Sequence, residues 1–217
     1  MYDVYIFDLD GTLLDTLDDL AAAVNFSLRS VGAPERTREE VKAFVGNGMV
    51  KLMNRALPDG MKEDAEIFER AFASFKDYYM AHCTDYTRVY SGVMPLLERL
   101  NAAGKLCAIV SNKGDFAVKE LSRRYFGDLI AIAVGENEEA GIRKKPAPDS
   151  VFSVLKNLKA EAKRAVYIGD SEVDIETAKN ADLPCISVTW GFKSREFLIE
   201  HGATVLVDTP EEIGQRQ

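Results

Sequence analysis

The chain has 217 residues, of which 47% are hydrophobic and 29% charged, a composition typical of a globular protein with a sizeable core. Its net charge of −8 argues against a nucleic-acid polymer or an anionic membrane surface as a partner. The first apolar run begins at Tyr2, so we expect no signal peptide, and no apolar stretch approaches the ~20 residues of a membrane span. Cys83, Cys107 and Cys185 lie far apart, which is typical of reduced thiols in a cytoplasmic protein.

The chain opens with a strand-like run that ends in two acids. Val4-Tyr5-Ile6-Phe7 is continuously apolar, and Asp8-Leu9-Asp10-Gly11-Thr12 follows it directly. The strand fixes the direction of the acids, and the glycine lets the backbone turn sharply so that loop amides can face a phosphate. This segment therefore predicts a compact site for an oxyanion and a divalent metal.

The following segment, 15–88, has helical patterns and no convincing strand. Its helix-period stretches are 17–31, 38–45, 49–57 and 62–82. Because the strand-like runs resume only near Tyr90, we expect a helical cap at 15–88 inserted into a core of 1–14 and 89–217. Its hinges would lie near Asp15 and 86–91, and the cap would close over the core.

The remainder of the chain alternates between short apolar runs and helical patterns. The strand-like runs are 106–110, 129–134, 165–168, 185–188 and 204–207. The helical patterns between and after them are 93–103, 115–125, 149–158, 172–181 and 194–201. Continuous apolar strands that alternate with helices predict an α/β fold, a doubly wound, Rossmann-like parallel sheet covered on both faces.

Polar residues stand where three of these strands end. Asp8 follows the first run, Ser111-Asn112 follows 106–110, and Gly169-Asp170 follows 165–168. In open parallel sheets, ligands bind beyond the carboxyl ends of the strands, so these residues are expected to converge. Helix capping would explain each of them alone, but it does not require paired acids on the first loop.

These motifs resemble those of the haloacid dehalogenase superfamily, whose members are mostly phosphatases. Besides the Asp8 loop, the resemblance includes Ser111, the lysine before a proline in Lys145-Pro146, and the acidic motif 169–174. It implies that Asp8 is the nucleophile and Asp10 the general acid and base, with Lys145 and Asp174 as further catalytic residues. It also implies that Ser111, with Asn112 beside it, binds the phosphoryl group of a small phosphorylated metabolite.

The resemblance also implies a Mg²⁺ ion. Its ligands would be the side chains of Asp8 and Asp170 and the backbone carbonyl of Asp10. Independently, up to four carboxylates in one crevice cannot all stay ionised without compensation, and Mg²⁺ suits a site of carboxylates, water and substrate phosphate.

The cap sequence bears on the substrate. Gly46-Asn47-Gly48 precedes a predicted helix, and its backbone amides are candidates to bind a small anion such as a carboxylate. An ordinary glycine-containing turn between two helices would explain the same three residues. This stretch is similar to the cap of phosphoglycolate phosphatases, which implies 2-phosphoglycolate as the substrate.

Several alternatives remain open at this stage. A sugar phosphomutase shares the core motifs, although the arginine of its cap loop is replaced here by Met49, and related pyrophosphatases and sugar phosphatases have caps of this length. A dehalogenase or a phosphonate hydrolase is disfavoured because it would lack Asp10, and a non-catalytic binding protein would have little need for the whole set of acids. Both a monomer and a homodimer remain possible.

Overall fold

The computed structural model describes residues 2–137 and 141–215. It divides into two compact units, one formed by Met1–Leu14 with Val89–Gln217 and the other by Asp15–Arg88. Of the helices in the described ranges, none combines the length and the apolarity that a membrane crossing requires.

Strands and helices are numbered separately along the chain. The strands are β1 (Val4–Phe7), β2 (Leu14–Asp15), β3 (Arg88–Val89), β4 (Leu106–Gly114), β5 (Ile132–Glu136), β6 (Ala165–Gly169), β7 (Cys185–Val188) and β8 (Leu206–Val207). The helices are α1 (Leu17–Ser30), α2 (Arg38–Phe44), α3 (Met49–Ala56), α4 (Ala65–His82), α5 (Val93–Ala102), α6 (Asp115–Phe126), α7 (Asp149–Leu158), α8 (Glu172–Asn180) and α9 (Arg195–Glu200).

The larger unit is built on a six-stranded sheet in the order β5-β4-β1-β6-β7-β8. All of its strand pairs are parallel, and every residue of β1 and β6 is buried. On one face, Val151 and Val154 of α7 and Ala178 of α8 belong to the same buried cluster as Ile6 and Tyr167. The predicted α/β class with a doubly wound, Rossmann-like parallel sheet is confirmed.

The position of β1 in this sheet determines where the polar strand ends meet. β1 lies between β4 and β6, and the chain extends the sheet on one side through β4 and β5 and on the other through β6 to β8. The sheet therefore has its topological switch point beside β1, where parallel sheets bind ligands. Asp8 and Asp170 lie at this edge because they directly follow β1 and β6, and Ser111 lies in the last part of the parallel strand β4.

Strand β4 is longer than its apolar run predicts. The run ends at Val110, but the strand continues to Gly114, which pairs with Glu136 of β5, and the intervening polar residues Ser111, Asn112 and Lys113 are buried. Its pairing with β5 shifts register between Val110 and Gly114. Strand β5 starts later than predicted because a 3₁₀ turn occupies Gly127–Leu129.

The smaller unit consists of four helices. α1 and α4 pack together through buried side chains such as Val24 and Phe75, and the Ser27 hydroxyl donates a 2.6 Å hydrogen bond to the Ala71 carbonyl oxygen. α4 begins later than its sequence pattern predicts because Asp64 caps it, accepting hydrogen bonds from two backbone amides of the first turn. At the unit's ends, Asp15 and Arg88 belong to β2 and β3, which form a two-stranded sheet.

A buried carboxylate joins the two ends of the helical unit. Asp19 of α1 is only 2% exposed, and its oxygens accept hydrogen bonds from the backbone N–H groups of Tyr86 (2.9 Å) and Thr87 (2.8 Å). The Thr87 hydroxyl donates a third, at 2.7 Å. In the sequence, Asp19 is indistinguishable from a helix-dipole residue like its neighbour Asp18, because its partners lie far along the chain.

We predict that Asp19→Ala lowers the free energy of unfolding by about 2–4 kcal/mol, because the buried N–H and hydroxyl of Thr87 and the partly buried N–H of Tyr86 lose a charged acceptor. Urea denaturation followed by circular dichroism measures the change. The control is Asp18→Ala, which removes an exposed ion pair with Arg38 and should cost less than about 1 kcal/mol. Equal losses in the two variants would contradict the anchoring role of Asp19.

Candidate active site

Asp8 stands directly after β1 and is nearly enclosed. Its backbone N–H donates to the Ile168 carbonyl oxygen of β6 at 2.8 Å, so sheet geometry fixes its main chain. Its Oδ1 accepts a hydrogen bond from the Leu9 amide at 2.7 Å and lies 3.0 Å from the Lys145 Nζ. The side chain is 12% exposed, which leaves an oriented carboxylate at the rim of the sheet.

Lys145 brings its ammonium into the middle of the acids. Its side chain is 3% exposed, and Nζ lies 2.8 Å from Asp174 Oδ1 and 3.1 Å from the Tyr167 hydroxyl. Together with the Asp8 contact, this gives the ammonium three oxygen partners. Lys145 is therefore a fixed positive charge between two carboxylates.

Asp174 contacts both Lys145 and the first turn of α8. One oxygen faces Lys145, and the other accepts hydrogen bonds from the Ser171 N–H (3.1 Å) and hydroxyl (2.6 Å), which form a capping box at α8. The side chain lies so close to Gly169 that a Cβ there would come within 2.2 Å of the Asp174 Cγ. The glycine of the acidic motif is thus required by the position of Asp174.

Asn112 holds the loop that carries Lys145. Its side-chain oxygen accepts the Lys145 backbone N–H at 2.7 Å, and its amide donates to the Lys145 carbonyl oxygen at 3.0 Å. The following bond, Lys145–Pro146, is a cis peptide. Next to Asn112, Ser111 is buried, and its hydroxyl oxygen accepts the Lys113 N–H at 3.3 Å.

Asp170 is held by the loops that follow β1 and β7. One oxygen accepts the Phe192 N–H at 2.6 Å and the other the Thr12 hydroxyl at 3.4 Å. Gly11 has φ of +82°, and a Cβ at Gly11 or Gly191 would come within 2.3 or 2.4 Å of Asp170 atoms. Both glycines therefore make room for this carboxylate.

Asp10 has a cationic partner that the sequence motifs do not include. The Lys113 Nζ lies 2.8 Å from one Asp10 oxygen and 3.0 Å from the other. The lysine side chain is 3% exposed and that of Asp10 is 13% exposed. The larger unit thus brings together all seven predicted core residues and adds Lys113 to them.

Burial, and the neighbouring acids to a smaller extent, raise the pKa values of two of the carboxyl groups. Burial raises the pKa of Asp8 to about 7, with Asp174 and Asp10 adding to the increase and Lys145 opposing it. Burial also raises the pKa of Asp170 well above its usual range, again reinforced by Asp174 and Asp8. Burial disfavours the charged form of Lys145, but Asp174 and Asp8 outweigh it and hold its pKa well above the ordinary value.

The donor set fits a hard divalent cation. Asp8, Asp170 and Asp174 each offer a carboxylate oxygen, and these oxygens lie within 4.8 Å of one another. Oxygen-only ligands and an excess of buried negative charge are what Mg²⁺ or a similar ion requires. All three carboxylates also accept hydrogen bonds from the protein, and Asp174 is the one of the three that is completely buried, so Asp8 and Asp170 are the better candidates for side-chain ligands.

The predicted cap residues form one loop of the helical unit. Gly46 and Gly48 have φ of +117° and +87°, and Gly48 immediately precedes α3. Arg55 holds this loop, since its guanidinium donates to the Phe44 carbonyl oxygen at 2.7 Å and to Asn47 Oδ1 at 2.6 Å. The Asn47 side chain therefore supports the loop, and the backbone amides are its candidate binding groups.

Sequence reasoning missed three contributors to the site, Lys113, Tyr167 and Phe192. Lys113 is the one with a usable signal, because it stands two residues after Ser111 and strand alternation puts both on one side. Tyr167 looks like any apolar strand residue, although its hydroxyl bonds to Lys145 and to the Val110 carbonyl oxygen. Phe192 acts through its backbone, which carries no sequence signal.

Comparisons with known proteins agree with this geometry. The family model described as haloacid dehalogenase-like hydrolase matches residues 5–188. A phosphoglycolate phosphatase of Pseudomonas savastanoi pv. phaseolicola is 33% identical over 94% of the chain and 75% of the relative, and one of Neisseria meningitidis is 32% identical over 91% and 85%. A crystal structure from Lactobacillus delbrueckii subsp. bulgaricus, provisionally assigned as a phosphoglycolate phosphatase, superposes with a TM-score of 0.92 at 38% identity, covering 98% of this chain and 96% of that one.

The chain belongs to the haloacid dehalogenase-like hydrolase family. Within that family it is a phosphatase, and its relatives include the phosphoglycolate phosphatases. The family resemblance that the sequence motifs suggested is therefore confirmed.

We predict that Asp8→Asn stabilises the metal-free protein at neutral and alkaline pH. The pKa of Asp8 is about 7 in the folded chain against an ordinary value of 3.8, so between these values the folded state holds a proton that the unfolded state has lost. This contribution to stability therefore falls as the pH rises through that window, and the asparagine variant does not show the fall. Its advantage over the wild type should reach on the order of a few kcal/mol above pH 7.

Urea unfolding in chelator at several pH values between 4 and 8 measures this difference. Asp77→Asn, which removes an exposed carboxylate of α4, is the control and should run parallel to the wild type. A constant difference between Asp8→Asn and the wild type across the range would refute the assigned pKa.

Proposed function

We propose that the protein is a Mg²⁺-dependent phosphate monoester hydrolase that works through an aspartyl-phosphate and acts on a small metabolite, with 2-phosphoglycolate as the preferred substrate. The observation that carries the mechanism is the Asp8 carboxylate, fixed at the end of β1 and 3.0 Å from the Lys145 ammonium. We further propose that it acts in the cytoplasm, as a monomer or a homodimer.

In the first step, an Asp8 oxygen attacks phosphorus in line with the ester oxygen. A bond forms between Asp8 and phosphorus while the bond to the leaving oxygen breaks. Asp10 gives its proton to that oxygen, so the product leaves as an alcohol. The Lys145 ammonium stabilises the charge on the transferring group, because it already lies beside the attacking carboxylate.

In the second step, water attacks the phosphorus of the aspartyl-phosphate. Asp10, now a carboxylate, takes a proton from this water, and the bond between phosphorus and Asp8 breaks. Inorganic phosphate leaves, and both acids return to their initial forms. The spacing of Asp8 and Asp10 on one short loop supports this exchange of roles.

The proposed Mg²⁺ ligands are the side chains of Asp8 and Asp170 and the backbone carbonyl of Asp10. When bound, the ion supplies positive charge that offsets the carboxylates and the phosphate dianion. Asp170 suits this role because two loops fix its orientation.

The other core residues divide into binding and positioning groups. Ser111 and the loop amides after Asp8 are proposed to donate to the phosphoryl oxygens. Asn112 was expected to bind the substrate, but both of its polar side-chain atoms hold the Lys145 backbone, which supports a positioning role. Asp174, which faces Lys145 and caps α8, is proposed to keep the ammonium in place.

We propose that the helical unit acts as a cap that selects the substrate. It is inserted in the chain directly after the loop of Asp8 and Asp10, so both of its ends connect to the catalytic unit. The amides of the Gly46-Asn47-Gly48 loop are the candidate donors for the carboxylate of 2-phosphoglycolate. The names of the curated relatives support this choice of substrate.

We predict that Asp8→Asn abolishes turnover while the protein stays folded. The substitution is nearly isosteric and removes the nucleophile, so kcat should fall by about 10⁴-fold or more. Steady-state phosphate release measures the loss, and Asp77→Asn serves as the matched control. Near-normal activity of Asp8→Asn would eliminate the covalent mechanism.

A panel of phosphate monoesters assayed with Mg²⁺ tests the substrate. We expect 2-phosphoglycolate to give the highest kcat/KM and chelation to reduce it by at least on the order of 100-fold. The panel includes sugar phosphates, pyrophosphate and glucose 1-phosphate, the last also followed for isomerisation. Preference for any of these over 2-phosphoglycolate would overturn the substrate choice, and full activity in chelator would overturn the metal requirement.

A further inference from the structure

Lys113 is a buried cation that the phosphatase mechanism above does not use. Its side chain is 3% exposed, although lysine is rarely buried unless its charge is paired. The ammonium lies 2.8 and 3.0 Å from the two oxygens of Asp10. Its contact with Asp10 differs from the contacts of Lys145, whose ammonium faces Asp8 and Asp174.

The backbone around Lys113 has an irregular geometry that depends on the neighbouring strand β5. The register between β4 and β5 shifts between Val110 and Gly114, so the strand departs from regular pairing at this residue. On the neighbouring strand, a Cβ at Gly135 would come within 2.6 Å of the Lys113 carbonyl oxygen and 2.4 Å of the Asp115 Cα. The Gly135 N–H also donates to the Asp115 carboxylate at 3.0 Å. The absence of a side chain at Gly135 therefore leaves room for the backbone of Lys113 and Asp115.

We infer that Lys113 is a positioning residue for Asp10. The ammonium is within reach of both oxygens, so when one oxygen carries the proton the other still accepts from Lys113. This contact restricts rotation of the carboxyl group and keeps its O–H at the loop where the leaving group must be protonated. A proton donor works only within hydrogen-bond reach of the atom that it serves, so a freely rotating Asp10 would be a poorer acid. This inference rests on the proposed function, because it assumes that Asp10 is the general acid.

The test compares leaving groups in single-turnover formation of the phosphoenzyme. An alkyl oxide needs a proton to leave, whereas an aryl oxide such as p-nitrophenolate does not. For Lys113→Met, we expect the rate with the best alkyl ester of the panel to fall on the order of 10- to 100-fold, part of what general acid catalysis supplies. With p-nitrophenyl phosphate, the fall should stay within about threefold, since only the protonation step is impaired.

Three further variants sharpen the comparison. Lys113→Arg keeps a cation that reaches both carboxylate oxygens and should restore much of the alkyl rate. The double variant with Asp10→Asn should be no slower than Asp10→Asn alone, because the lysine acts through that acid. Lys156→Met, which changes an exposed lysine of α7, should match the wild type on both substrates. If Lys113→Met does not fold, as judged by thermal unfolding, the polar variant Lys113→Gln carries the same measurement.

The outcomes separate this inference from the proposed function. Equal losses on the alkyl and aryl esters in the Lys113 variants, while Asp10→Asn is selective for the alkyl ester, would overturn the positioning role alone. The same holds if the losses from Lys113→Met and Asp10→Asn multiply in the double variant. Absence of leaving-group selectivity in Asp10→Asn itself would instead overturn the acid role of Asp10, and the inference with it.

Discussion

The buried ammonium of Lys145 is the interaction on which the catalytic unit depends. Asp8 reaches it from the end of β1 and Asp174 from the start of α8, and Tyr167 of β6 completes its partners. Removing carboxylates from water is costly, and a paired, hydrogen-bonded cation is the usual compensation. Because Lys145 compensates this negative charge only in part, the pKa values of Asp8 and Asp170 remain raised. The uncompensated negative charge favours the binding of a cation, and perturbed carboxyl groups of this kind are typical of functional sites.

The sheet supplies the precision that this cluster needs. β1 lies between β4 and β6, so the three polar strand ends are fixed by backbone hydrogen bonds before any side chain is considered. Glycines then set the distances between loops, as at Gly11 and Gly191, where a methyl group would displace Asp170. Strands and helices position reacting groups more precisely than loops alone. In this site the loops that contain Gly11 and Gly191 are also packed against Asp170.

The sequence predicted most of the sheet and the core acids because both follow from short-range signals. Buried parallel strands are continuous apolar runs, and Asp8, Asp10 and Asp170 stand directly beside them. The features that the sequence did not indicate have long-range causes. β4 extends past Val110 to Gly114, which pairs with Glu136 of β5, and Asp19 is buried by partners near residue 87. The partnership of Lys113 with Asp10 depends on the pairing of β1 with β4, which no local pattern encodes.

The central position of β1 has a consequence for how the protein is made. Val4 pairs with Leu106 on one side and with Ala165 on the other, so β1 is synthesised well before either of its partner strands. The helical unit at 15–88, by contrast, is compact and continuous in the chain, and all of it is synthesised before β4. Contacts between distant segments slow folding, whereas local ones form quickly. During synthesis, the unpaired β1 is therefore the segment that needs protection from aggregation, and the helices can form before the sheet that contains the acids exists.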